Sequence, residues 1–172
     1  MAKVLTFSRV FPVYHSQAGK DTLFVEKLML GFPPFKQEFD VFGTLSLGLD
    51  RLNELYPKHH TIRAGKRFKE GDKFSPRVWL GKPYKSKQFC IAPDLTVTKT
   101  YDFTIEIDND YMCIMIDSYP FYEENKSMVT QVEALQTLAK NDGLSLSEFK
   151  EWFQWGKPFN GQIICWNDRV SY

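Results

Sequence analysis

The sequence predicts an α+β fold, a small mixed β-barrel with flanking helices, in one domain spanning residues 1–172. Three observations predict it. The chain has 172 residues, 43% of them apolar, which suits a single core. Between His59 and Asp117 five or six short segments alternate apolar and polar side chains at the period of strands. Before and after that series, apolar residues recur at helical spacing.

"KVLTFS" alternates as a first strand, and "DTLFVEKLML" is a helix with Asp21 available as N-cap and Gly31 just past its end. "GFPPFKQEFDVFG" is expected as an ordered loop because its aromatics need burial, and "LGLDRLNELYP" as a short helix that Pro57 stops. "HHTIR" opens the strand series and "EGDKF" is a turn. "FSPRVWL" and "KQFCIA" form a hairpin around "GKPYKS", while "LTVTKTYDFTIEID" and "YMCIMID" pair around Asn109 and Asp110. "VTQVEALQTLAK" and "SLSEFKEWFQW" are helices joined at "NDGL", where Gly143 ends the first and Ser145 or Ser147 caps the second. "GQIICW" is a closing strand, and Trp152, Trp155 and Trp166 fall into core periodicity.

No run approaches the ~20 apolar residues that span a bilayer, and the N-terminus lacks the succession of a signal peptide. A cytoplasmic protein with no membrane partner is expected. Cys90, Cys113 and Cys165 have neither zinc-site nor disulfide spacing and are expected to pack as small hydrophobes. No metal and no cofactor is expected.

The net charge of +1 hides two opposed blocks. Lys58 to Gln88 holds ten Lys/Arg against Glu70 and Asp72, a net of +8, whereas Asp94 to Glu151 nets −8. On one surface the basic block would draw in phosphates; spread along strand edges it would serve solubility. Within it, "SPRVWLGKPYKSK" interleaves Trp79 and Tyr84 with Arg77, Lys82 and Lys85, the mixture that stacks bases and holds phosphates of single-stranded RNA. A twisted hairpin with inward aromatics has the same pattern.

"KHHTIRAGKR" concentrates the remaining chemistry. On a strand, His59, Thr61 and Arg63 share one face and His60 follows Ile62 into the core. Tandem histidines on opposite faces cannot hold one metal. Lys58 meets Thr61 only if Pro57 and Lys58 form a bend before the strand. A lysine desolvated in a cleft then serves as base for a hydroxyl nucleophile, given a carboxylate to orient it. The same residues also fit a strand threonine beside phosphate-binding cations such as Arg63 and Arg67.

"KHHTIR…GD", the following strands and "LAKNDGLSLSEFKEWF" resemble the ASCH domain family, small PUA-like β-barrels with helices over one opening. "VLTFSRVF", "TLFVEKL" and "GQIICW" extend the likeness over most of the chain. One bacterial branch, an amidohydrolase of acetylcytidine, uses the lysine and threonine of K-x-x-T-I-R and a glutamate before a later helix. The resemblance implies Lys58 as base, Thr61 as nucleophile, Asp142 as the aligned carboxylate, one methylene shorter, and Arg63 as anion holder. His59, Arg67, Arg77, Trp79, Lys82, Tyr84 and Lys85 would complete a site for RNA or a modified nucleoside. Other members are associated with ribonuclease activity or RNA binding. Segments 31–57 and 75–87 stand as insertions relative to compact members.

Overall fold

The computed structural model describes residues 1–31, 54–108, 111–125 and 128–172. Apart from Gly31, the expected loop "GFPPFKQEFDVFG" lies outside the described residues, as does the Asn109–Asp110 turn. So does the expected helix "LGLDRLNELYP", except for residues 54–57, which are not helical.

Nine strands in two sheets and three helices occur among the described residues, a mixed α+β architecture. In the first sheet β1 (Lys3–Phe7) runs parallel to β3 (Lys73–Trp79), with Lys3 opposite Phe74 and Phe7 opposite Val78. The other edge of β3 is covered by two antiparallel strands, β4 (Gln88–Cys90) and β5 (Leu95–Thr96). The second sheet is antiparallel throughout, in the order β2 (His60–Ala64), β9 (Phe159–Cys165), β6 (Lys99–Asp108), β7 (Tyr111–Ile116) and β8 (Tyr119–Glu123).

The segment read as one long strand from Leu95 is two. Val97 N donates to Asp72 O at 2.8 Å and the next amide, Thr98 N, donates to Cys165 O at 2.9 Å. Consecutive amides therefore serve different sheets, and the chain changes sheet there. Trp166, directly after β9, packs its ring 6.0 Å from Phe7 and 5.8 Å from Phe74, so the two sheets share one apolar interior.

Helix α1 (Phe24–Leu30) begins behind Leu23, at φ 57°, and has no side-chain cap. The expected cap, Asp21, instead bridges to Val10 through its backbone. Thr22 Oγ1 accepts from Phe24 N at 3.3 Å and donates to Ser8 O at 2.7 Å. Helix α2 (Val129–Asn141) buries Leu135, Leu138 and Ala139, one stripe at helical spacing. Helix α3 (Leu146–Trp152) starts with a capping box, in which Ser145 Oγ accepts from Glu148 N and the Glu148 carboxylate accepts from Ser145 N. Among the described residues no helix is long and apolar enough to cross a membrane.

Candidate functional site

Strand β2 begins at His60, so Pro57–His59 precede it and Lys58 is not bound by its alternation. Two main-chain bonds anchor this stretch between helix ends. Lys58 N donates to Lys27 O and His59 N to Asn141 O, each at 2.8 Å. Gly31, the C-cap of α1, lies so near that an added Cβ would stand 2.4 Å from Lys58 O; only glycine permits that approach.

Lys58 consequently enters the C-terminal end of α2. Its Nζ donates to Asp142 Oδ1 and to Asp142 O, both at 2.5 Å. The Phe24 ring centroid lies 4.2 Å from the same nitrogen. Lys27 Nζ donates to Gly143 O at 2.7 Å. Two ammonium groups thus satisfy carbonyls left open at a helix C-terminus, where the partial negative charge favours cations. Gly143, at φ 77°, reverses the chain and presents its carbonyl.

Lys58 is 1% exposed and Asp142 3%. Burial pulls the Lys58 ammonium down to about 8, with Asp142 opposing that fall by its charge and hydrogen bond. Burial raises Asp142 against the opposing pull of Lys58, Arg63 and Lys27. Burial likewise lowers Lys27. The pair therefore sits closer to its neutral form than an exposed lysine and aspartate do.

His60 is wholly buried. Asn141 Nδ2 donates to Tyr172 Oη at 3.1 Å, and Tyr172 Oη shares a hydrogen bond with His60 Nδ1 at 2.7 Å. His60 Nε2 lies 3.9 Å from Asp142 Oδ1, too long for a hydrogen bond. Burial, then the Lys58 charge, holds His60 well below the ordinary imidazole range, so it is neutral.

Thr61 is buried on β2, opposite Ile164 of β9. No hydrogen bond joins its hydroxyl to Lys58 or Asp142 among the described residues. Arg63 is half-buried, with its guanidinium 5.4 Å from the Phe7 ring and donating to Thr6 O at 2.7 Å. Burial lowers its pKa, which the Asp142 charge partly offsets. Arg63 and the exposed Arg67 line one cavity of about 210 Å³ with Thr6 and Gln162. His59 is half-buried with Nδ1 accepting from Asn167 Nδ2 at 2.8 Å, and burial, then Arg169, lowers it.

The other expected residues sit on the β3–β4 hairpin. Arg77 is half-buried and donates to Ser75 Oγ at 3.2 Å and Gln88 Oε1 at 3.4 Å. Trp79 and Tyr84 stand 5.3 Å apart by ring centroid, and Lys82, Tyr84 and Lys85 are exposed. No hydrogen bond, ion pair or ring contact among the described residues joins this hairpin to Lys58 or Asp142. Nor is the basic block one uniform patch. Lys58 is interior, and Lys66 pairs with Asp102 of the acidic block at 2.6 Å.

Phe24 and Lys27 beside Lys58, and Tyr172 beside His60, were not foreseen. Lys27 left a signal, a cation three residues after Phe24 on the buried stripe of "FVEKLML". Tyr172, the last residue of the sequence, left none. Among the described residues no three His, Cys, Asp or Glu side chains converge as metal ligands. No family model, no curated protein and no solved structure matches the chain.

Proposed function

We propose that the chain is an ASCH-type protein, its two sheets forming the PUA-like barrel of that family, which binds RNA or a modified nucleoside and hydrolyses an acylated cytidine-type nucleoside at Thr61. One observation carries this reading: the fully buried Lys58 ammonium held by Asp142 at 2.5 Å. Taking two charges out of water costs several kcal/mol for each ion, and apolar residues of like volume often stabilise a core better. The Lys58 segment is already anchored by two main-chain bonds, so its position does not require the pair. A lysine drawn to about 8 is suited to act as a base near neutral pH.

In the proposed reaction neutral Lys58 takes the Thr61 hydroxyl proton as Oγ1 attacks the acyl carbon. Asp142 orients the ammonium so formed, and Arg63 stabilises the oxyanion. The carbon–nitrogen bond then breaks, the departing nitrogen takes the proton back from Lys58, and water hydrolyses the acyl-threonine. Thr61→Val keeps β-branching and volume but removes the hydroxyl. On acetylcytidine it is expected to lower turnover by roughly three orders of magnitude or more while nucleoside binding survives. Wild-type protein that turns over no acylated nucleoside, at any pH from about 7 to 10, would refute hydrolysis.

A non-catalytic RNA-binding role is the second reading, favoured by the exposed cations and the 89% exposed Tyr84 of the β3–β4 hairpin. It requires neither Thr61 nor Lys58 to react.

A further inference from the structure

The β3–β4 hairpin holds features that sheet packing leaves unexplained. Tyr84 is 89% exposed at φ 62°, a left-handed conformation that costs a non-glycine residue roughly 1–2 kcal/mol. Ser86 Oγ accepts from Gly81 N and donates to Lys82 O, each at 3.0 Å, so the loop is closed on itself and keeps that geometry. Lys82, Lys85 and Lys87 are exposed around it, and no acid occurs between Asp72 and Asp94. Beside the loop lies a cavity of about 270 Å³ whose lining includes Phe7, Arg9, Asp21, Trp79, Leu80 and Pro83. That is just under the ~300 Å³ at which sites for drug-sized ligands begin, and it suits one small ring system.

We propose that this cavity and the hairpin tip form a nucleobase site for single-stranded RNA. A pyrimidine with an exocyclic amino group enters against Trp79, and its amino group donates to the Asp21 carboxylate. The neighbouring base stacks on the open face of Tyr84, and Arg9, Lys82 and Lys85 hold the flanking phosphates. Uracil fits poorly because it turns a carbonyl oxygen toward Asp21 where cytosine turns an amino group. Duplex RNA is excluded because its bases are already stacked and paired. Phe7 joins this cavity to the interior, since its ring also carries the Arg63 guanidinium at 5.4 Å. The site rests on the RNA-binding reading above and supplies it with a ligand class.

Fluorescence anisotropy with labelled octamers of cytidylate and uridylate and with a short blunt RNA duplex, over a salt series, tests it. The expected order is oligo-C, then oligo-U, then duplex. Tyr84→Ala should weaken oligo-C binding about 5- to 100-fold without changing the log–log salt slope. Lys82→Ala with Lys85→Ala should flatten that slope by about 1.4, at roughly 0.7 per lost phosphate contact. Asp21→Asn should abolish the preference for oligo-C over oligo-U. Tyr84 and Asp21 are exposed, so neither change threatens folding. Equal binding of oligo-C and oligo-U by wild type, equal binding of the duplex, or wild-type affinity in Tyr84→Ala overturns the site. If wild type binds RNA and every hairpin variant matches it, the site falls and RNA binding stands; if wild type binds no RNA, both fall.

Discussion

Raising the pH should relieve a strain that Lys58 imposes on the native state. In the folded chain its ammonium titrates near 8, against 10.5 for an ordinary lysine. Between those values the unfolded chain binds a proton that the native chain has released, so stability rises with pH across that window. Below about 8 the cost is present in full. The gap, at about 1.36 kcal/mol per pH unit, amounts to about 3 kcal/mol, a large share of the ~5–15 kcal/mol that holds most domains together. Urea unfolding of wild type and of the Lys58→Met, Asp142→Asn double variant, from about pH 7.5 to 10, isolates the effect because exposed lysines titrate alike in both proteins and no buried carboxylate is left without its partner. Wild type should gain about 2 kcal/mol on the variant over that range. A difference that stays flat with pH would mean that Lys58 keeps an ordinary affinity for its proton and is not poised as a base.

Two further outcomes are expected. The pH profile of kcat/KM on acetylcytidine should rise through about 8 as Lys58 loses its proton, and a profile that is level from pH 7 to 10 would remove Lys58 from the base role. Gly31→Ala should drive a Cβ to 2.4 Å from Lys58 O and cost about 1–3 kcal/mol, as overpacking does. At roughly 2–4 °C per kcal/mol for a chain of this size, calorimetry should show the midpoint falling by several degrees, and an unchanged midpoint would show that the contact is loose.

Local patterning carried most elements. The hairpin around "GKPYKS" pairs as expected, with Arg77 opposite Cys90 and Trp79 opposite Gln88, and Ser145 caps α3. Strand β8 was missed because its turn, Asp117–Ser118, uses two left-handed residues at φ 51° and 69° without the glycine that announces such a turn, and because Pro120 argues against a strand. Pro120 is accommodated because β8 lies at the edge of its sheet. The change of sheet at Val97–Thr98 left only a faint mark, a single Lys99 in the register of Leu95, Val97, Tyr101 and Phe103. Asp142 came into view only through a family resemblance, for nothing in the residues themselves links positions 84 apart in sequence. His15 is buried against α3 with Nε2 3.3 Å from Glu148 O.

The close approach of Gly31 to Lys58 O holds the end of α1 directly against the chain that enters β2. Lys27 O and Asn141 O bind the Lys58–His59 stretch from both sides, so the ends of α1 and α2 and the start of β2 form one joint. A side chain added at Gly31 therefore acts on that joint as a whole, shifting Lys58 relative to Asp142 through the backbone without touching either side chain.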